Sequence, residues 1–229
     1  MKDMNDQMSL REALQKRRSI RKFKPDPVPR EILHAILEEA RWAPSAINTQ
    51  PWEVALVGGE TLKQIVRATF EEINSGGAPR PDFDIPRFMK EVYIRRMREN
   101  AKGLFGGALR IERHDLEKRG AFYVTMLHYF DAPQVIYLCI DKSLSWISIF
   151  DCGCFVQNLC LLAVSKGLGT CIQQSGVHFP DIIRRYVPIP EEKKILLNIS
   201  IGYPDDQAPV NQFRSHRDPP EDFIISEMD

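Results

Sequence analysis

Ile32, Leu33, Ile36, Leu37 and Ala40 recur at three- and four-residue intervals, which puts them on one face of a helix. Pro29 suits the first turn of that helix, where its missing N–H costs nothing, and Trp42-Ala43-Pro44 ends it. Upstream, Ser9 and Glu12 form a capping-box pattern ahead of Leu10, Ala13 and Leu14, predicting a short helix that ends at Lys16-Arg17-Arg18. The prolines at 25, 27 and 29 exclude a helix between the two. Glu53 to Val57 reads as a strand stopped by Gly58-Gly59, and Thr61 to Ile73 as a helix. A continuous apolar run predicts a buried strand at Val135–Ile140; Ile195–Ile201 reads as a third long strand and Thr170–Gln173 as a short one. Ile147 to Lys166 is apolar on nearly every side, so it reads as a central helix, stopped by Gly167-Leu168-Gly169. Pro180 to Tyr186 predicts a further helix.

Two segments break this pattern. Ser75 to Pro86 is a Gly/Pro-rich loop, and Arg87 to Phe130 is charged and helical in composition, with breaks expected near Gly103 and Gly106-Gly107. The segment at about 85–130 reads as an excursion from the core. The tail at about 203–229 has few core residues, so it is expected to lie extended along another surface. Strands and helices do not alternate as β-α-β units, which favours an α+β fold in a single domain over residues 1–229.

Composition narrows the function classes. At 43% apolar residues the chain can bury a sizeable core, and Lys+Arg and Asp+Glu are both 31. A net charge of zero supplies no general field for nucleic acid or an anionic membrane, so neither is an expected partner. The most apolar stretch, Ile147 to Val164, is interrupted by Asp151, Gln157 and Asn158, which argues for a buried helix over a membrane span. Met1 to Ser9 is polar and is no secretory signal. The five cysteines (139, 152, 154, 160 and 171) lack paired metal-ligand spacing. They read as reduced, buried thiols of a cytoplasmic protein, with no metal site.

Two short segments carry candidate chemistry. Arg17-Arg18-Ser19-Ile20-Arg21 sets three guanidinium groups and a hydroxyl within five residues at a helix end, a donor set that suits a terminal phosphate. A solvated basic turn is the alternative; an extended nucleic-acid patch lacks the interleaved aromatics it needs. Ala43 to Trp52 is a loop rich in amides and hydroxyls, in which Asn48 and Gln50 can read a ring edge of mixed C=O and N–H groups. Ordinary turn chemistry by Pro, Ser and Asn is the alternative there.

Together, Arg17-Arg18-Ser19-Ile20-Arg21-Lys22-Phe23, Pro44-Ser45-Ala46-Ile47-Asn48-Thr49-Gln50-Pro51-Trp52, the Gln157-Asn158 helix running to Gly167-Leu168-Gly169, and Gly202-Tyr203-Pro204 resemble the nitroreductase family of flavoproteins in order and spacing. The middle segment and the tail from Pro209-Val210-Asn211 through Ser215 and Arg217 look most like its nitrobenzoate or nitroaromatic reductase branch. The resemblance implies an intertwined homodimer with a central, mostly antiparallel sheet flanked by helices and FMN at the interface. It implies that Arg17 and Ser19, with Arg18 beside them, hold the FMN phosphate, and that Arg21 approaches the pyrimidine side. Pro44, Ser45, Ala46, Asn48 and Gln50 would come from the other subunit. Gln174, Ser175 and Gly176 would lie near the central ring, where a backbone N–H can bond N5. Arg217, or in second place Arg214, would return to the phosphate. At Gln174-Ser175 this chain departs from the Glu-Gly pair frequent in the family, so the register there is open by about one residue.

The resemblance implies a two-half-reaction cycle, in which NADH or NADPH reduces FMN and a small planar acceptor (a nitroaromatic, quinone or activated alkene) reoxidises it. No catalytic side chain is assigned, since the cofactor carries the chemistry. His34, His114, His128 and His178 read as structural or exposed; His216 lies between two candidate phosphate ligands. The excursion is expected to cover the flavin and set acceptor choice, with Phe88, Tyr93, Phe105, Phe122 and Tyr123 available for stacking or for packing. Arg95, Arg96 and Arg98 can attract an acidic acceptor or simply form a solvated face. Reductive dehalogenation or flavin breakdown on the same fold, and a flavin-binding redox module without efficient turnover, stay open as alternatives.

Overall fold

The computed structural model describes residues 8–84 and 90–228. Helix α1 (Leu10–Lys16) starts in a complete capping box: Ser9 Oγ accepts from the Glu12 N–H, and the Glu12 carboxylate accepts from the Ser9 N–H at 2.9 Å. Helix α2 (Arg30–Ala40) has Pro29 just outside it as its cap, one position earlier than its first turn. Leu33, Ile36 and Ala40 are buried on its inner face, and Ile32 and Leu37 pack partly against the same core. Strand β1 (Glu53–Gly58) turns directly into helix α3 (Gly59–Asn74), because Gly59 takes φ +57° without a Cβ clash. The glycine pair therefore joins the two elements, where a stop followed by a gap was expected.

The excursion holds α4 (Glu91–Ala101) and α5 (Leu116–Leu127). The break expected at Gly103 and Gly106-Gly107 is not one: the helix runs on through Lys102–Ala108 as a wider π-helical turn. Glycine weakens a helix without ending it, and here Gly103 makes room for the ring of Phe213, which a Cβ would approach to 2.8 Å. The beginning of the excursion at residues 85–89, including Phe88, lies outside the described residues.

Strand β2 (Gln134–Asp141), helix α6 (Trp146–Ser165), strand β3 (Gly169–Gln173), helix α7 (Pro180–Tyr186) and strand β4 (Lys193–Gly202) complete the core, and a short helix α8 (Pro209–Gln212) punctuates the tail. The sheet order is β1-β2-β4-β3, antiparallel throughout. Ile136, Leu138 and Ile140 face α2 and α6, while Val135, Tyr137 and Cys139 face Leu62 and Ile65 of α3 and Ile183 of α7. A bulge between Leu138 and Cys139 gives β4 one extra residue, which moves Ile195 to the α3/α7 face although Ile199 and Ile201 stay on the other.

Helix α6 is long and apolar enough to cross a membrane. Its Cys152, Phe155, Leu159, Cys160 and Ala163 nevertheless pack in the core against α2 and the sheet. Asp151, buried in the same helix, accepts from the Ala46 N–H at 3.1 Å and so ties the 44–52 loop to the core.

Candidate functional site

Beyond α1 the chain runs extended along the edge of the sheet. Ser19 pairs in parallel with Thr170 of β3, the Ile20 N–H donates to Thr170 O at 2.9 Å, and Phe23 pairs with Pro204 at the start of the tail. An extended backbone alternates its side chains. Ile20 enters a cluster with Phe23, Phe130, Ala132 and Cys171, while Arg17, Ser19 and Arg21, together with Arg18, line a cleft of about 240 Å³. The tail supplies the opposite wall with Phe213, Arg214, Ser215 and Arg217.

Asn211 joins the two walls. It is 1% exposed; its Oδ1 accepts from the Arg21 N–H at 2.7 Å, and its Nδ2 donates to the carbonyls of Lys22 (2.7 Å) and Asp205 (2.9 Å). Arg18 adds a bond from its Nε to Asn211 O at 2.8 Å and lies 3.7 Å from Asp206. Burial holds the Arg18 guanidinium below its usual range; the charge on Arg214 acts in the same sense and Asp206 against it.

Among the described residues, Arg17, Arg21, Arg214 and Arg217 form no ion pair with a carboxylate. Arg214 donates to the carbonyls of Gln15 and Lys16 at the end of α1, both at 3.2 Å, and Arg217 to Ser215 Oγ at 2.7 Å and His216 O at 2.8 Å. The cleft thus gathers four unneutralised guanidinium groups around the Ser19 hydroxyl. It can take an anion whose oxygens accept several charge-assisted bonds at once. Of the two expected tail arginines, both line it.

The other expected site residues lie elsewhere. Pro44, Ser45, Ala46, Asn48 and Gln50 do not line this cleft. They form an exposed loop in which Ile47, Asn48 and Gln50 all have left-handed φ (+47°, +58° and +46°). Such a run in non-glycine residues costs on the order of 1–2 kcal/mol per residue. Part of it is offset by turn chemistry: Ser45 Oγ accepts from the Gln50 N–H at 3.0 Å.

Gln174, Ser175 and Gly176 follow β3 and open a single 3-10 turn. Among the described residues, the N–H groups of Ser175 and Gly176 donate to no protein acceptor, whereas those of Val177 and His178 are used. Gln174 Nε2 donates to Asp84 O at 3.2 Å, and Ser175 Oγ accepts from Gln173 at 3.4 Å. Beneath the turn, Gln173 Oε1 accepts from Ser200 Oγ at 2.7 Å and Asn198 Nδ2 at 3.3 Å, while Asn198 Oδ1 is buried without a partner among the described residues.

In the excursion, Phe105 is buried and meets Phe122 edge-on with centroids 5.1 Å apart, and Arg119 sits over its face at 4.2 Å. Tyr93 and Tyr123 are exposed. Arg95, Arg96 and Arg98 pair with Glu99, Asp218 and Glu91 respectively. His216 is exposed and lines a neighbouring cleft of about 660 Å³ with Arg96, Asp218 and Phe223. His128 packs against Phe70, and His178 is held below the usual imidazole range by burial. Asn100, Phe213 and the clasp by Asn211 are site features that sequence reasoning missed. A lone Asn or Phe carries no signal of a partner nearly two hundred positions away.

An antiparallel α+β core with a cationic cleft between its sheet edge and its tail defines the class. The nitroreductase family model matches residues 14–203, and the chain belongs to that family. It is 33% identical over 86% of its length to a nitrobenzene nitroreductase of Ectopseudomonas oleovorans, covering 87% of that protein. It is 33% identical over 90% of each chain to a 4-nitrobenzoate reductase of Pseudomonas putida. The crystal structure of the FMN and NADPH-dependent nitroreductase NfnB of Sphigopyxis sp. strain HMH superposes with a TM-score of 0.91 at 30% identity, covering 96% of this chain and all of that one.

Proposed function

We propose that this protein is an FMN-dependent oxidoreductase that takes electrons from NADH or NADPH and passes them to a nitroaromatic, quinone or related small planar acceptor. The observation that carries the reading is the cleft of unpaired guanidinium groups around Ser19, in a chain of this family. A phosphomonoester fits it by charge and by donor number. Arg17, Ser19, Arg214 and Arg217 hold the phosphate. Arg18, already bonded to Asn211 and Asp206, fixes the tail beside it. Arg21 reaches the pyrimidine edge, where a cation stabilises added negative charge. A backbone N–H of the Ser175–Gly176 turn would bond N5 of the bound flavin. Bound there, FMN supplies the hydride acceptor and the electron donor, so no protein nucleophile is needed.

The working form is a homodimer. The chain's accessible area of 14890 Å² stands against roughly 10,600 Å² for a folded monomer of this mass. The surplus includes a face of α6 with Trp146 and Phe150 exposed, and the apolar residues Trp42, Ile47, Ile225 and Met228. A second copy covers that face and brings Pro44, Ser45, Ala46, Asn48 and Gln50 to the partner's flavin. The chain acts as one domain, with the excursion over the acceptor site. Its five free cysteines suit the cytoplasm.

The test is to purify the protein, record its visible spectrum and add NADH or NADPH without oxygen. Flavin bands that bleach and then return with a nitroaromatic support the reading. A halogenated phenol as the better acceptor favours dehalogenation on the same fold. The double variant Arg17→Ala/Ser19→Ala, which removes charge-assisted bonds of about 1.5–3 kcal/mol each, is expected to bind FMN at least a hundredfold more weakly with its fold intact. Unchanged FMN affinity in that variant removes the phosphate assignment.

A further inference from the structure

The excursion re-enters the core through three consecutive non-glycine residues in the left-handed region: Tyr129 (φ +53°), Phe130 (φ +58°) and Asp131 (φ +58°). Backbone like this persists only where its surroundings over-determine it. Asp131 pairs with Lys22 at 2.7 Å, and Phe130 is buried with Ile20, Phe23 and Cys171. Tyr129, 2% exposed, sends its ring beneath the Ser175–Gly176 turn.

The Tyr129 hydroxyl lies 3.0 Å from Gly176 O and 2.7 Å from the hydroxyl of Tyr137, a fully buried residue of β2. A carbonyl can only accept, so the single Tyr129 proton goes to Gly176 and Tyr137 donates to Tyr129. The chain of bonds has one direction, ending on the turn. Burial pushes the Tyr129 phenol up to about 12 and Tyr137 well above its ordinary value, so both protons stay in place. Gly176 permits the close approach: a Cβ there would lie 2.2 Å from Asn198 Oδ1 and 2.5 Å from Tyr129 Cε1. The turn therefore has its inward carbonyl pinned, while, among the described residues, the N–H groups of Ser175 and Gly176 have no protein acceptor.

We infer that Tyr129 and Tyr137 are positioning residues for this turn, and that the hydroxyl chain beneath it sets the reduction potential of the flavin held against it. The inference rests on the proposed FMN reading. Pinning the Gly176 carbonyl fixes how the turn is rotated and so where its free N–H groups point. A donor held at N5 bonds the oxidised and reduced rings unequally, and its aim enters the potential directly. Loss of the Tyr129 hydroxyl takes from Gly176 O the donor that pins it, and the turn is then free to rotate.

The experiment is an anaerobic redox titration of wild type, Tyr129→Phe, Tyr137→Phe and Val135→Ala, with FMN dissociation constants in both oxidation states. Val135 is buried in the same cluster but carries no hydroxyl, so its truncation costs stability without removing a hydrogen bond to the turn. Tyr129→Phe is expected to change the ratio of reduced to oxidised FMN affinity about fivefold, which for a two-electron couple is about 20 mV. Tyr137→Phe is expected to shift it less, in the same direction, and Val135→Ala not at all. If Tyr129→Phe does not fold, Tyr137→Phe decides alone, and an unchanged potential there overturns the inference. A folded Tyr129→Phe with the wild-type potential, or an equal shift in Val135→Ala, overturns it too. A wild-type protein that binds no FMN overturns the function reading instead, which keeps the two failures apart.

Discussion

Strand β2 with helix α6, and the excursion that carries α4 and α5, are held by different forces. Every residue from Val135 to Ile140 is buried, as are Cys152, Phe155, Val156, Leu159, Cys160 and Ala163 of α6. Neither α4 nor α5 has a buried residue. The excursion is fastened by Leu104 and Phe105 in its π-helical turn, by the contact of Gly103 with Phe213, and by the Arg96–Asp218 ion pair to the tail. Exposed ion pairs contribute about 0–1 kcal/mol each, whereas burying one Leu or Ile contributes about 1.5–3 kcal/mol. The core thus keeps the arginine-lined cleft in shape at a large margin, while the segment proposed to choose the acceptor opens at little cost. Low local stability suits a part that must admit and release a planar molecule.

The largest expected effect sits on the core side of that contrast. Leu138→Ala leaves a cavity between α2, α6 and the sheet and is expected to cost about 2–5 kcal/mol in denaturant unfolding. Tyr93→Ala, on the exposed side of α4, is expected to change stability by about 0.5 kcal/mol or less. Comparable losses in the two variants would break the distinction.

Phe105→Ala tests the same contrast from within the excursion. Its ring is the shared contact of Phe122, Tyr123 and Arg119. Its truncation, worth about 3 kcal/mol where an aromatic is fully packed, is expected to act locally. Hydrogen exchange should accelerate over residues 91–127 and leave the amides of β2 and β4 at wild-type rates. Uniform acceleration across the sheet would show that the excursion and the core unfold as one unit.

The division between what could be read from the chain and what could not follows the same physics. Strand β2 and helix α6 were readable because burial on both sides leaves a sequence that is apolar throughout in the strand and on nearly every side in the helix. The Arg17–Arg21 cluster was readable because its donors are adjacent. The sheet order was not, since antiparallel pairing of β2 with β4 across α6, β3 and α7 leaves no local trace. Nor was the turn at Tyr129–Asp131, which takes left-handed backbone without glycine or asparagine; only tertiary contacts stabilise it there. Gly103 was misread as a break because glycine marks both helix ends and close packing, and the aromatic that selects packing, Phe213, is far away in sequence. The 44–50 loop looked like both turn chemistry and a ring reader, and its exposure in a single chain agrees with either until a second copy is present.

The smallest effect expected is in the pH dependence of the polar fastening at the end of β2. Asp141, at the end of β2, accepts from the Ser143 hydroxyl at 2.6 Å and N–H at 2.9 Å, and from Lys193 at 3.1 Å; Lys193 also reaches Glu53 at 2.7 Å, so one ammonium ties the ends of β1, β2 and β4. These bonds, those from Ser143 first, pull the Asp141 carboxyl from 3.8 down to about 2. A folded-state value below the unfolded one stabilises the protein when the carboxyl is ionised in both states. The contribution is therefore complete above about pH 5, where an unfolded Asp is ionised, and is lost as pH falls through about 2. Asp141→Asn is expected to lower the unfolding midpoint at pH 5–7 by a constant small amount, and the gap to wild type is expected to close between about pH 4 and pH 2. A gap that stays constant down to pH 2 would mean that the asparagine loses packing or turn geometry, and that the carboxylate's charge contributes nothing to holding the sheet ends together.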